Sequence, residues 1–141
     1  MGVEEFKFNG KLFALILRKN THVENTKFFS PEDSSLQLGI IKHEKGYVEK
    51  PHIHKRFPKT ISDTQETLYI EHGEVEINFY NDKGKKVGSS LLKAGDTVLL
   101  IDGGHAIRVL EDFKGVKVKQ GPYHGIEEDK EFLDVKSDTS M

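Results

Sequence analysis

Three histidines and one glutamate in this chain are spaced as the ligands of a single divalent metal ion would be. One residue separates His52 from His54, and residues i and i+2 of a β-strand project from the same face, so both imidazoles can point at one ion. Glu66 and His105 follow, each within an apolar run. Imidazole suits zinc, iron and nickel, and an added carboxylate moves the preference toward iron or manganese. We therefore expect one divalent metal ion, with zinc, iron, manganese and nickel all open.

Two tyrosines are candidate acids for chemistry at such a site. A phenol near a metal ion or another cation can have its pKa lowered and can then donate a proton. Tyr123 is the first choice, because Gln120-Gly121-Pro122 makes a rigid bend just before it, and Tyr69 is the second. The alternative for each is a packed ring with a hydrogen-bonded hydroxyl.

Arg56, Lys59 and Arg108 are candidate contacts for the phosphate or carboxylate of a substrate. The first two lie in the segment 55–65, which separates His54 from Glu66 and carries three cations and a proline. We expect this segment to form a mobile flap near the mouth of the site. The ordinary alternative for all three side chains is solvated surface charge.

Length and composition limit the function. A chain of 141 residues forms one domain, and its net charge of −2 argues against a nucleic-acid binder that relies on a positive field. The absence of cysteine excludes disulfides and thiolate ligands. No signal peptide and no apolar run long enough to cross a bilayer can be recognised, so we expect a soluble cytoplasmic protein with no membrane partner.

The elements that must position these residues are short strands. Apolar runs separated by glycine-rich turns predict strands near 12–17, 36–41, 67–70, 75–79, 98–101, 107–110 and 116–118. The chain is predicted to reverse between them at Asn9-Gly10, Lys45-Gly46, His72-Gly73, Asp82-Lys83-Gly84, Ala94-Gly95-Asp96, Asp102-Gly103-Gly104 and Lys114-Gly115. No stretch between 36 and 120 has a sustained 3.6-residue period, which indicates an all-β sandwich or barrel. We expect one domain over 1–126 and a charged tail over 127–141, with a short helix near 128–133.

Alternation within the runs predicts which side chains face the core. Val75, Ile77 and Phe79 share one face of their strand, and polar residues occupy the other. Glu66 and His105 each alternate with apolar residues of their own runs, so both are predicted to point inward. An inward charge is unfavourable unless it is paired, hydrogen-bonded or bound to metal, which favours a ligand role for both.

The spacing of these residues resembles the two signature motifs of the cupin superfamily. Motif one, over 46–73, is Gly, five residues, His-x-His, a gap, Glu, six residues and Gly, and the matching positions are Gly46, His52, His54, Glu66 and Gly73. Motif two, over 95–109, runs from Gly95 through Gly103-Gly104 to His105. The chain departs from the pattern in three respects. Eleven residues separate His54 from Glu66 where three or four are usual. In motif two, Ile101 replaces a proline and one residue is missing before His105, and Val109 stands where an asparagine is expected.

The resemblance implies a cupin double-stranded β-helix, or jelly-roll barrel, and a homodimer. It also implies that the metal is held by His52, His54, Glu66 and His105. More narrowly, Thr64-Gln-Glu-Thr-Leu-Tyr-Ile, Gly-Gly-His and Lys119-Gln-Gly-Pro-Tyr123 are similar to small single-domain cupins of bacterial surface-polysaccharide or nucleotide-sugar gene clusters.

Isomerisation or epimerisation of a small sugar or nucleotide-sugar in polysaccharide biosynthesis is the function that this resemblance favours. A Lewis-acidic ion would stabilise the enediolate formed when a proton leaves the carbon beside a carbonyl. Two alternatives stay open: an Fe(II) dioxygenase that uses the same ligands, and a sugar-binding module without turnover. A metal-free epimerase with a histidine base would need a histidine–carboxylate pair, and the sequence alone shows no such pair.

Overall fold

The computed structural model describes residues 2–135, and these are almost entirely antiparallel β-structure. The strands are β1 (Val3–Phe8), β2 (Lys11–Leu17), β3 (Lys27–Phe28), β4 (Gly39–Ile40), β5 (Glu66–Tyr80), β6 (Lys86–Lys93), β7 (Thr97–Leu100) and β8 (Gly104–Lys119). One short helix, α1 (Ile126–Asp129), follows them. The prediction of an all-β chain is confirmed.

Six of these strands form one curled sheet, with β5 at its centre. On one side β5 pairs with β7 over its first residues and with β6 over its last ones. On the other side it pairs with β8 along its whole length. β2 and then β1 extend the sheet beyond β7, and β3 and β4 form a separate two-stranded hairpin. The result is a half-barrel with β1 at one border and β8 at the other.

The long strands β5 and β8 each join two runs that were predicted as separate strands. The expected reversals at His72-Gly73 and Lys114-Gly115 are wrong, because both positions lie at shifts in the β5–β8 ladder. Gly73 has φ 94°, and a side chain there would collide with the backbone carbonyl of Asp112. Glycine thus allows a sharp bend within a continuous strand, where a turn was expected.

The core lies on the concave face of the sheet. Val75, Ile77 and Phe79 are buried there, as their alternation predicts. Phe6 of β1 stacks on Phe79 with ring centroids 4.6 Å apart, which ties the border strand to the centre of the sheet. Each fully buried side chain of this size contributes about 1.5–3 kcal/mol of apolar burial, so this layer is the main stabilising element.

The convex face carries a second apolar cluster. Leu15, Leu17 and Leu99 are buried under Leu36 and Ile40 of the segment that contains β3 and β4. The hairpin therefore covers the face opposite to the concave core. Residues 41–65, which have no regular secondary structure, follow β4 and therefore start on this face.

The predicted charged tail packs against the sheet over the part that the structure describes. Helix α1 lies at the start of the predicted region, and Leu133 contacts the backbone at Gly104, the first residue of β8. Residues 136–141 of the tail lie outside the described residues. The tail thus contributes to the surroundings of His105, a role that its composition did not indicate.

Candidate functional site

Glu66 and His105 meet although they lie at opposite ends of the β5–β8 ribbon. In the ladder Glu66 pairs with Lys119 and His105 with Phe79, thirteen residues further along β5. A straight strand would separate these two levels by about 40 Å. Because the ribbon bends at Gly73 and the sheet curls, His105 Nε2 lies 2.8 Å from Glu66 Oε1. The structure therefore brings two of the four predicted ligands into direct contact.

The carboxylate of Glu66 is buried and ionised. Glu66 is 7% exposed, which confirms that it points inward. A hydrogen bond from His105 lowers the pKa of Glu66, burial opposes that effect, and the charges of His105 and Lys117 add to the lowering. Lys117 Nζ lies 3.7 Å from the same oxygen that His105 contacts. The inward carboxylate is thus stabilised by side chains of β8.

A second lysine near this pair forms its own ion pair with an aspartate. Lys119 Nζ lies 3.0 Å from Asp129 Oδ2 and 5.0 Å from the centre of the Tyr123 ring. The hydrogen bond to Asp129 raises the pKa of Lys119. Asp129 thus balances the charge of Lys119, whereas Lys117 forms its ion pair with the carboxylate of Glu66.

These side chains line a cavity of about 420 Å³. Glu66, His105, Lys117 and Lys119 form its floor, and the C-terminal segment 129–135 forms the opposite wall. A volume of this size lies within the range of small-molecule sites in proteins. The arrangement can therefore bind a small polar ligand between a histidine–carboxylate pair and an ammonium group.

His52 and His54 lie elsewhere, in the exposed segment before β5. Their ring centroids are 5.4 Å apart, and His52 Nδ1 is 2.9 Å from the carbonyl oxygen of Lys50. Over residues 2–135 no group of three or more histidine, aspartate or glutamate side chains is arranged to hold a metal ion. The chain described here thus leaves these imidazoles apart from Glu66 and His105.

The donor set in the cavity of one chain does not fit the metal site that the resemblance implies. His105 Nε2 is at hydrogen-bonding distance from Glu66 Oε1, and the ammonium of Lys117 supplies positive charge beside that oxygen. A bound ion would need the lone pairs of both groups directed at itself. The expectation of a divalent metal stays a prediction.

The predicted proton donors differ in their position relative to the cavity. Tyr69 pairs with Val116 and alternates with the inward Leu68 and Ile70, so it lies on the convex face of the sheet, away from Glu66. Tyr123 is exposed, and its ring packs under Lys119 at the edge of the cavity. Of the two, Tyr123 is the one near the site.

The predicted substrate-binding cations do not line the cavity. Arg56 and Lys59 are exposed in the segment before β5, where Lys59 packs on Phe57. Arg108 lies on the convex face and pairs with Glu76 at 3.4 Å. The cations that line the cavity are Lys117, Lys119 and Lys130, which the sequence reading missed. The i, i+2 spacing of Lys117 and Lys119 was a usable signal, but the shift of register at Gly115 hid which face they share with Glu66.

Comparison of the chain with protein-family models, with curated proteins and with solved structures gave no match. The cupin resemblance therefore rests on the spacing of the motif residues. Among the described residues, no helix combines the length and the hydrophobicity needed to cross a bilayer.

Proposed function

We propose that this chain is a cupin-type sugar isomerase or epimerase that moves a proton on a carbon beside a carbonyl. The observation that supports this most is the 2.8 Å contact between His105 Nε2 and the buried carboxylate of Glu66 in a cavity of small-molecule size. A histidine oriented by a carboxylate is a common general base. The half-barrel is proposed to be part of a jelly roll, and the substrate to be a sugar or nucleotide-sugar of a polysaccharide pathway.

The contact with Glu66 selects which nitrogen of His105 acts. A carboxylate accepts hydrogen bonds, so Nε2 carries a proton that it donates to Glu66 Oε1. In the neutral ring the lone pair is then on Nδ1, and Nδ1 is the base. Glu66 also stabilises the imidazolium that forms when Nδ1 takes up a proton, as a buried carboxylate does for the histidine of a hydrolase triad.

The reaction is a proton transfer that balances without a redox partner. Nδ1 of His105 takes the proton from the carbon beside the carbonyl, and the electron pair of that C–H bond moves to give an enolate whose negative charge is on the former carbonyl oxygen. The ammonium of Lys117, on the same side of the cavity, stabilises this oxygen. Delivery of a proton from solvent to the opposite face of the same carbon gives an epimer. Delivery of the proton from Nδ1 to the former carbonyl carbon, while the hydroxyl proton of the first carbon passes to the former carbonyl oxygen, gives an isomer.

Exchange of substrate hydrogen with solvent tests this chemistry. The purified protein is incubated in D₂O with a panel of keto-sugars, aldoses and nucleotide-diphosphate sugars, and deuterium at carbon is followed by NMR and mass spectrometry. We expect exchange in at least one sugar, lowered about 10²–10⁴-fold in His105→Asn, because that is the usual contribution of a general base. Glu66→Gln should lower it as well, since the tautomer of His105 is no longer fixed.

His22→Asn is the matched control. His22 is exposed and pairs with Glu24 at 3.0 Å, away from the cavity, so exchange should stay at the level of the unmodified chain. Exchange that persists in His105→Asn would exclude His105 as the base. Saturable binding of a sugar without any exchange would show a binding module instead of an enzyme.

A further inference from the structure

Residues 46–62, which we call the arm, hold apolar side chains in solvent. Val48, Ile53 and Phe57 are 83%, 89% and 65% exposed. The hydrogen bonds, ion pairs and ring contacts that residues 48–62 make within the described chain join arm residues to one another, as between His52 and Lys50. A cluster of exposed apolar side chains on one segment indicates an interaction surface.

Strand β8 has an edge that could receive such a segment. One edge of β8 pairs with β5, and no described strand pairs with the second edge, although Leu133 lies against Gly104 at its first residue. Ile107 and Val109 share the concave face with the buried Ile77 and Val75, yet they are 41% and 52% exposed. A long open edge with apolar side chains readily accepts another strand.

Two prolines restrict how the arm can join a sheet. Pro51 and Pro58 bracket residues 52–57, and a proline cannot donate to a β-ladder. Within a sheet, proline is therefore found mainly in edge strands. Residues 52–57 fit the role of a new outermost strand, and this is the position beside the open edge of β8.

Both ends of the arm are held away from the concave face of their own chain. Before the arm, Ile40 of β4 packs on Leu15, Leu17 and Leu99 on the convex face. After it, Asp63 accepts hydrogen bonds from Ser35 and Gln65 at 3.2 and 3.1 Å. Ser35 precedes Leu36, which packs on the convex face of the sheet. The arm is therefore tethered on the convex side and extends outward, where a neighbouring molecule can take it up.

We propose that residues 52–57 add as a strand to the open edge of β8 in a second copy of this chain, and that the exchange is reciprocal. The result is a two-fold dimer closed by exchanged arms. In an extended strand His52 and His54 share one face, and a strand laid along the first residues of β8 places them beside His105 of the second copy. Two chains then bring the pair His52 and His54 of one copy next to the pair Glu66 and His105 of the other.

Cross-linking between differently tagged chains tests the exchange. The chain contains no cysteine, so an introduced thiol is the sole thiol of its molecule. Ile53→Cys in a long-tagged chain is mixed with Ala106→Cys in a short-tagged chain, unfolded and refolded together, and treated with a short bis-maleimide. We expect a mixed product on a denaturing gel. Lys11→Cys, at the start of β2 beside the border strand β1, replaces Ala106→Cys in the control and should give none.

The double variant Ile53→Cys/Ala106→Cys separates docking on the same chain from docking on a second copy. A cross-link within one chain shows that the arm lies on its own β8, and a cross-link between chains shows that it lies on the β8 of another copy. A cross-link confined to single chains, or no cross-link in either experiment, would overturn the proposal. Light scattering gives an independent readout: the unmodified chain should have twice the mass of the 16.0 kDa monomer, and Ile53→Asp should be monomeric with unchanged circular dichroism. Ile41→Asp, the same change at another exposed isoleucine outside the arm, should leave the dimer intact. A monomeric unmodified chain would contradict the exchange.

Discussion

At the scale of single residues, Glu66 links the stability of the protein to its site. It is buried, and the side chains that compensate its charge both belong to β8, so the same contacts hold the ribbon closed and orient His105. Sequence alternation was enough to predict that Glu66 points inward. It could not predict the partner, because contact between the two ends of one ribbon depends on curvature and not on spacing.

The lowered pKa of Glu66 makes its contribution to stability depend on pH. The group binds its proton less tightly in the folded chain than at the unfolded value of about 4.3, so its stabilising contribution is present above that pH and is lost as the pH falls through the lower folded value. We expect the unmodified chain to exceed Glu66→Gln in free energy of unfolding at pH 7 by about 1–3 kcal/mol, the usual range for hydrogen bonds to a charged group.

Urea denaturation of both proteins between pH 2.5 and 8, in the presence of EDTA, measures this difference. Glu32→Gln changes an exposed carboxylate that forms no ion pair with the other described residues. It serves as the control and should differ little from the unmodified chain at any pH. A difference for Glu66→Gln that stays constant down to pH 2.5 would show that the ionised carboxylate is not the stabilising species.

At the scale of elements, the β5–β8 ribbon determines the site, and here the sequence reading failed at specific residues. The turns at Asn9-Gly10, Ala94-Gly95-Asp96 and Asp102-Gly103-Gly104 were predicted correctly, since glycine there joins consecutive strands. At His72-Gly73 the same signal marks a bend inside a strand. Glycine with positive φ reports a local conformation, and whether the chain reverses depends on long-range pairing with β8, which one sequence does not reveal.

Gly73 should therefore be the glycine at which substitution is most destabilising to the ribbon. Gly73→Ala places a side chain at φ 94° and against the Asp112 carbonyl, so we expect a loss of about 1–3 kcal/mol from the conformation and a further 1–3 kcal/mol from the collision. Gly10→Ala has a similar φ of 77° with open space around it and should show the first loss alone. Thermal and urea denaturation measure both variants. If Gly73→Ala and Gly10→Ala lose the same stability, this would contradict a close approach of the two strands at Gly73.

At the scale of the whole molecule, one arginine connects strands that are distant in sequence. Arg18 follows β2, donates to Glu4 of β1 at 2.7 Å and to Ser90 of β6 at 3.0 Å, and pairs with Asp96 in the turn before β7 at 3.0 Å. Asp96 is buried and also accepts the backbone N–H groups of Lys19 and Lys93. This network joins β1, β6 and the turn before β7, none of which belongs to the β5–β8 ribbon.

Removing the guanidinium should destabilise the whole sheet. Arg18→Met keeps the aliphatic part of the side chain but leaves the buried carboxylate of Asp96 without its cation, so we expect a loss of about 1.5–3 kcal/mol in the free energy of unfolding. Arg108→Met is the matched control, because its ion pair with Glu76 is longer, 3.4 Å, and its side chain is 55% exposed, so the loss should stay within about 0.5 kcal/mol. Urea denaturation at pH 7 measures both. Similar losses would mean that Arg18 acts through its aliphatic packing or not at all, and that the curl of the sheet depends on the concave apolar core alone.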